Sequence, residues 1–240
     1  MFPYDPALLG AVSSTPQSIA EVVAILEAIE EICEDGDGLK WFNWLYLQVT
    51  LAVKARVETS GFLNPPWMAE LDVAFAGYYF AAIRAALGSG SAPGCWQAFF
   101  DRRNQSAVAR IQFALAGMNA HINHDLPQAV LGISDKYKSE PLHGTPQYRD
   151  YTALDTTLGS LVDQAKTTLH ARLLGDSLPP VSHLDDTLAA WSLAAARETA
   201  WNNAAVLWHL QPLPEVCAAF LASLNGFTTL AGATLLVPVP

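Results

Sequence analysis

Apolar residues recur every three or four positions along most of this chain, and this helical period constrains the fold more than any other feature. The alternation of apolar and polar residues that is typical of strands is nearly absent. Stretches rich in proline and glycine interrupt the periodic segments, and such residues end helices and form turns. Because the 240 residues contain no long linker, the sequence predicts a single all-α domain, a bundle of about eight or nine helices.

These interruptions define the bounds of the predicted helices. The expected ranges are about 16–33, 39–58, 67–87, 96–101, 106–126, 127–138, 148–174, 184–210 and 215–224. The helix over 106–126 is expected to end before Pro127, because a residue that precedes proline is pushed out of the helical region. The predicted domain spans 1–240, with a core over about 15–225 and an apolar C-terminal tail over 228–240.

Charge and composition exclude several functional classes. The chain has 23 acidic residues against 13 Lys plus Arg, a formal charge of -10, so no nucleic-acid partner is expected. No uninterrupted apolar run reaches about 18 residues, and no membrane span is therefore expected. The N-terminus lacks a signal-peptide pattern and the three cysteines are widely spaced, which predicts a cytoplasmic protein with reduced thiols. No glycine-rich phosphate loop is present, so no nucleotide cofactor is expected.

The segment 119–127 (NAHINHDLP) carries the densest proton- and metal-handling chemistry of the chain. Residues at positions i, i+3 and i+4 of a helix share one face, so His121, His124 and Asp125 can converge on one point. Ala114 and Gly117 lie beside them, and their small size leaves room for the polar cluster or lets another helix come close. Buried polar groups of this kind need partners, and a satisfied hydrogen-bond network is the alternative to a functional site.

Two other predicted helices carry candidate partners for this cluster. Asp72 and Tyr79 share one face of the helix over 67–87, and Arg197 and Trp201 share one face of the helix over 184–210. An arginine among apolar and aromatic neighbours can pair with a buried carboxylate or hold an anionic group of a ligand. The predicted catalytic residues are His121, Asp125, Tyr79 and Asp72, and the predicted substrate-binding residues are Arg197, Trp201 and His124.

Three functions are compatible with this set of residues. The leading hypothesis is a small-molecule enzyme with an apolar pocket between helices, in which His121 is the general base or acid, Asp125 orients it, and the substrate is hydrophobic, biosynthetic or lipid-like. The second is a metal-dependent hydrolase in which His121, His124 and Asp125 bind a single divalent metal, with Asp72 as a further ligand. The third is a non-enzymatic ligand-binding bundle. A small-molecule ligand is the expected partner, and a homodimer is left open.

The motif helix also resembles a known family. The segment 117–126 (GMNAHINHDL), preceded by Trp67, Asp72 and Tyr79 and followed by Arg197 and Trp201, is similar to an uncharacterised bacterial family catalogued as domain of unknown function 5995. The resemblance spans about residues 15–225. It implies the extent of the domain and the choice of site positions, and it brings no established activity with it.

A second resemblance rests on one pair of residues. His121 and Asp125 match the His-x-x-x-Asp pair of the all-helical zinc-dependent phospholipase C and P1 nuclease group. The other zinc ligands of that group, among them an N-terminal tryptophan and a His-x-x-x-Glu pair, are not found in this sequence. The resemblance therefore does not extend to a trinuclear zinc site.

Overall fold

Helices form along the periodic stretches of the chain and end at its proline and glycine breaks. The structure, a computed structural model, describes residues 1–173 and 192–238, apart from the side chains of residues 166 and 169–173. The α-helices are α1 (Asp5–Ala11), α2 (Ile19–Ile32), α3 (Gly38–Glu58), α4 (Pro65–Leu87), α5 (Gly94–Phe100), α6 (Arg110–Ala120), α7 (Leu126–Tyr137), α8 (Pro146–Thr152), α9 (Asp155–Leu173), α10 (Leu193–Leu210) and α11 (Pro214–Leu235). Joined across short breaks, the helices of these described residues number nine and no strand occurs among them, which confirms the all-α prediction.

Several predicted helix bounds were wrong. The helix expected over 148–174 is divided into α8 and α9, and α1 was not predicted. The last helix continues to Leu235, so residues 228–235 of the expected tail are helical, because Thr228 on this stretch packs into the core. Residues 184–191 of the predicted helix over 184–210 lie outside the described residues.

The motif helix differs most from its prediction, because it does not end before Pro127. Residues His121–Asp125 form a π-helical turn that joins α6 directly to α7. A proline lacks an N–H and its ring clashes with the carbonyl four residues earlier in a regular α-helix. The wider π turn relieves this conflict and places Pro127 in the first turn of α7. Single π turns within α-helices are frequent at functional sites.

The continuous helix α6–π–α7 lies at the centre of the molecule. Helix α3 packs along α6, α4 and α10 pack along α7, and α5 and α11 cover the remaining side of α6. The core between them is strongly aromatic, and four of its tryptophans are fully buried: Trp41, Trp67, Trp96 and Trp201. The π turn therefore places its polar side chains in the most enclosed part of the fold.

Close packing of α3 against α6 depends on Gly117. A Cβ atom at this position would overlap the ring of Phe42, which itself lies against the His121 imidazole with ring centroids 5.8 Å apart. The sequence left open whether Gly117 makes room for the polar cluster or for a helix, and the structure shows the close approach of α3.

Replacement of Gly117 by alanine is expected to lower the free energy of unfolding by about 1–3 kcal/mol, because the added methyl group overpacks the contact with Phe42. Chemical denaturation measures this change. Gly132→Ala in α7 is the matched control, since nothing lies within 4 Å of a Cβ atom there. The control should gain up to about 1 kcal/mol from helix propensity. Equal effects of the two substitutions would contradict the prediction.

Helix α11 is the one helix of the described residues that is long and apolar enough to cross a membrane by length and composition. Its inner side includes buried Thr228, whose carbonyl accepts a hydrogen bond of 2.8 Å from the Asn119 side chain. Phe227 and Leu230 on its outer side are exposed. A single helix of this kind is weak evidence for a membrane span.

Candidate functional site

The Asp125 carboxylate is the centre of the polar cluster on the π turn. Its Oδ2 atom accepts hydrogen bonds from Trp96 Nε1 on α5 and from His121 Nδ1, each 2.9 Å long. Its Oδ1 atom is 2.7 Å from His124 Nδ1. Burial alone would raise the pKa of Asp125, but the hydrogen bonds with His121 and His124 outweigh it and hold the pKa below its ordinary value. The carboxylate is therefore ionised.

The ionised carboxylate decides the protonation pattern of both histidines. A carboxylate only accepts hydrogen bonds, so His121 and His124 each carry a proton on Nδ1 and donate it to Asp125. Burial lowers the pKa of His121, and the hydrogen bond with Asp125 opposes this only in part. His121 is thus neutral near pH 7, and its Nε2 atom carries a free lone pair.

The Nε2 atom of His121 is buried and has no hydrogen-bond partner in the described part of the chain. The imidazole ring is held in place by its neighbours. It stacks on Phe75 with ring centroids 3.5 Å apart and planes 7° from parallel, and it meets Tyr46 edge-on with centroids 4.6 Å apart. The ring is therefore fixed on all sides except at the unpaired nitrogen.

Two adjoining cavities of about 40 Å³ each lie beside this ring. The first touches His121 and the second touches Asp72, so the two predicted proton-handling groups line neighbouring cavities. Both cavities share five lining residues from four helices: Tyr46, Val49, Phe75, Leu158 and Arg197. Except for a few polar groups, the walls are apolar and aromatic.

Asp72 is a buried carboxyl group with no cationic partner among the described residues. Its Oδ2 atom is enclosed and has no hydrogen-bond partner there, and burial raises the pKa of the group to about 7. Two hydroxyl groups of α3 are also buried, those of Tyr46 and Thr50, and within the described residues they interact only with each other. Burial raises the pKa of Tyr46 well above its ordinary value, and the nearby negative charge of Asp72 adds to this shift.

Stability should depend on pH through Asp72. Between pH 3.8 and about 7 the folded state holds a proton that the unfolded state has lost, so stability falls as pH rises through this window and is level above it. Asp72→Asn removes this cost. Its advantage over the wild type should grow by roughly 2–3 kcal/mol between pH 5 and pH 8. Urea denaturation at several pH values measures this difference.

Asp135→Asn is the control for this prediction, because Asp135 on α7 is exposed and pairs only with exposed Lys138. Its stability difference from the wild type should not change between pH 5 and pH 8. A pH-independent difference for Asp72→Asn as well would contradict the assignment of a raised pKa to Asp72.

Tyr46 is a site residue that sequence reasoning missed. The sequence contained a weak signal, since Phe42, Tyr46 and Thr50 recur at i and i+4 and place two hydroxyl groups within an apolar stripe of α3. Predicted Tyr79 has its ring close to His121, with centroids 6.0 Å apart. Its hydroxyl group points elsewhere and donates to Asn43 Oδ1 over 3.4 Å.

The predicted substrate-binding residues occupy different places. Arg197 lines both cavities, but its Nε donates to Asp155 over 2.7 Å and its Nη2 to the Tyr151 carbonyl over 2.6 Å. Trp201 packs among buried aromatic rings away from both cavities, and its Nε1 is unpaired within the described residues. His124 donates to Asp125 and lines neither cavity.

The predicted metal ligands are linked to one another by hydrogen bonds. The Nδ1 atoms of His121 and His124 both face the Asp125 carboxylate. Within residues 1–173 and 192–238, no group of three or more His, Cys, Asp or Glu side chains is arranged to hold a metal ion. The chemistry that this geometry supports directly is proton transfer at His121 Nε2.

Comparison with known proteins locates the chain in one family. No curated protein and no solved structure matches it, and the similarity to the phospholipase C and P1 nuclease group is not supported. The model of the family described as "Family of unknown function (DUF5995)" matches residues 19–238, a range that holds the π turn and both cavities. The chain therefore belongs to this family of unknown function.

Proposed function

We propose that the protein is a small-molecule enzyme in which His121 transfers protons as general base and acid, in a pocket between helices. The observation that carries this proposal is the Nε2 atom of His121, which is buried, unpaired and attached to a ring that lines a cavity. Asp125 holds the other ring nitrogen at 2.9 Å.

A paired aspartate and histidine suit general base catalysis. The carboxylate fixes the tautomer of the imidazole and stabilises the imidazolium that forms when Nε2 accepts a proton. Leaving a buried polar atom unpaired costs about 1–3 kcal/mol, and such atoms are rare in native proteins. His121 Nε2 lowers the stability of the fold by leaving a hydrogen bond unmade, so we expect this atom to have a role in binding or catalysis.

The cavities favour a small, largely apolar substrate. Each holds about 40 Å³, and a single water needs roughly 10–15 Å³ of such space. A hydrophobic biosynthetic substrate of a few heavy atoms fits this space without movement of the helices. A lipid-like substrate would require separation of the walls formed by Leu158 on α9 and Leu193 on α10.

The experiment that tests the proposal is an untargeted turnover assay. Wild-type protein is incubated with a bacterial metabolite extract, and changes are followed by mass spectrometry. We expect metabolite changes with the wild type that are absent with His121→Asn, since asparagine keeps a donor near Asp125 but removes the Nε2 lone pair. Equal changes with both proteins would contradict the proposal.

His124→Asn is the matched control for this assay. His124 is also buried, and it donates to the same carboxylate, but it lines neither cavity. The control should retain turnover. A wild-type protein that changes no metabolite but co-purifies with a small molecule would favour the ligand-binding alternative. Stoichiometric metal in the native protein, needed for turnover, would favour the metal-dependent hydrolase.

A further inference from the structure

A second group of buried polar atoms lies beside the cavity that Asp72 lines. Asp72 Oδ2 is enclosed and without a partner in the described residues, and the Tyr46 hydroxyl has only the Thr50 hydroxyl of its own helix near it. Tyr46 is 4% exposed and Asp72 is 7% exposed, and both line the second cavity. An unpaired buried polar atom costs about 1–3 kcal/mol in the folded protein. Unpaired Asp72 Oδ2 and the incompletely paired Tyr46 hydroxyl, on two residues that line one cavity, therefore favour a ligand that completes their hydrogen bonds.

Building on the proton-transfer site proposed above, we infer that Tyr46 and Asp72 bind the carbonyl oxygen of a small ketone or aldehyde, while His121 removes a proton from the adjacent carbon. Tyr46 lines both cavities and its ring meets the His121 ring edge-on. A ligand that spans the two adjoining cavities, taken together as the joined space, would therefore contact the base at one end and the two oxygen donors at the other.

The charge of the cavity walls favours a neutral ligand. Burial raises the pKa of Asp72 to about 7, and a large fraction of this carboxyl group is therefore protonated near neutral pH. A protonated carboxyl group and a phenol both donate hydrogen bonds. The positive charge of Arg197, which lines the same cavities, is already paired with Asp155, so among the described residues these walls offer a ligand anion no unpaired cation. Protonated Asp72 offers a ligand cation no negative charge.

The size of the joined space limits the ligand to about six non-hydrogen atoms, given cavities of about 40 Å³ each and roughly 10–15 Å³ per water-sized group. The apolar residues Val49, Phe75 and Leu158 line the middle of this space. They suit the short carbon chain of such a carbonyl compound.

The reaction needs no co-reactant. The Nε2 lone pair of His121 takes the α-proton, the C–H electron pair becomes a C=C bond, and the carbonyl π pair moves onto the oxygen. Hydrogen bonds from Tyr46 and protonated Asp72 stabilise the developing enolate oxygen, and Asp125 stabilises the imidazolium. When the imidazolium has exchanged its Nε2 proton with solvent, it returns a solvent-derived proton to the same carbon, the C=C electron pair forms the new C–H bond and the carbonyl bond is restored, which gives proton exchange.

Acetone, with four non-hydrogen atoms, is the probe for this inference. Carbonyl binding is followed by the ¹³C shift of [2-¹³C]acetone, and proton removal by deuterium uptake in D₂O. The wild type should shift the carbonyl resonance downfield and accelerate exchange. Tyr46→Phe and Asp72→Ala should lose the shift and slow exchange by about 10²–10³-fold. Asp72→Asn should retain most of both, since an amide N–H can replace the carboxyl O–H.

The two readouts separate this inference from the proposed function. His121→Asn should abolish exchange and keep the carbonyl shift, whereas unchanged exchange in His121→Asn would overturn the proposed function. Exchange that needs His121 but is unaffected by Tyr46→Phe and Asp72→Ala would overturn the carbonyl subsite alone. Failure of wild-type protein to bind or exchange acetone would also overturn it. If Asp72→Asn loses the carbonyl shift and the exchange to the same extent as Asp72→Ala, the role of Asp72 as a hydrogen-bond donor is overturned. Asp72 would then be assigned to the binding of a cationic ligand.

Discussion

Replacement of Asp125 by asparagine is expected to reduce turnover by roughly 10²–10⁴-fold, the range associated with a general base and its support. The imidazolium that forms when His121 accepts a proton is neutralised by the Asp125 carboxylate at 2.9 Å. Asparagine has nearly the same shape as aspartate but no charge. The reduced turnover would therefore come from slower proton transfer and not from a changed shape of the site. Rates measured on the substrate found in the metabolite assay test this expectation.

The hydrogen bond from Trp96 keeps the side chain at position 125 in one orientation. The effect of its charge on turnover can therefore be measured apart from the effect of its geometry. The indole N–H can only donate, and it donates to Asp125 Oδ2, the same atom that accepts from His121. In Asp125→Asn the amide oxygen must therefore stay on this side, and His121 keeps its proton on Nδ1. Nitrogen-15 NMR of the imidazole should show the same His121 tautomer in the variant and in the wild type.

The amide group of Asp125→Asn would then face His124, whose tautomer should change so that Nδ1 accepts. His124→Asn serves as the rate control, because it leaves the carboxylate beside His121. Turnover of Asp125→Asn within threefold of the wild type would refute a catalytic role for the carboxylate. A changed His121 tautomer would refute the orienting role assigned to Trp96.

Replacement of Arg103 by methionine is expected to lower the free energy of unfolding by about 3–5 kcal/mol. The guanidinium is buried and contacts two buried carboxylates, Asp5 Oδ1 at 2.6 Å and Asp37 Oδ2 at 2.7 Å. Its removal leaves two acidic groups without a cation inside the protein. Chemical denaturation at pH 7 measures the loss. The loss should shrink toward pH 4, because burial raises the pKa of Asp37 and this group can take up a proton there once its cation is removed.

Arg102→Met is the matched control on the neighbouring residue. Arg102 is only partly buried and makes a 3.0 Å hydrogen bond to the Ala233 carbonyl, so its loss should cost about 1 kcal/mol. The prediction for Arg103 fails if both variants lose the same stability. The result would show whether the buried ion pair ties the N-terminal helix α1 to the rest of the fold.

Local sequence patterns predicted some parts of this structure well. Helix α2 begins at Ile19, where Ser18 caps it, and ends at Ile32, within about three residues of the range predicted from the apolar stripe. The pairing of His121 with Asp125 also follows from a four-residue spacing alone. The interpretation of Pro127 was wrong, because a π turn can carry a helix through a proline and the rule for regular α-helices does not include it.

Contacts between distant helices could not be predicted from those patterns. Arg197 was expected to hold an anionic ligand group or to form an ion pair with a carboxylate, and the sequence could not specify that this carboxylate is Asp155 on α9. Tyr79 was expected to supply a proton, but the rotation of α4 turns its hydroxyl group toward Asn43 on α3. Sequence periodicity predicts which face of a helix is buried. It does not predict which other helix packs against that face.

The sequence by itself determined the all-α class, most of the helix breaks and the closeness of His121 to Asp125, since these depend on residues within a few positions of each other. The tertiary structure alone decided that His121 Nε2 has no partner among residues 1–173 and 192–238, that Tyr46 and Asp72 line one cavity, and that Gly117 admits the ring of Phe42. These features depend on how α3, α4 and α9 are rotated and packed around the π turn. Close packing of side chains from separate helices, rather than any local pattern, creates the cavity and its unpaired polar atoms.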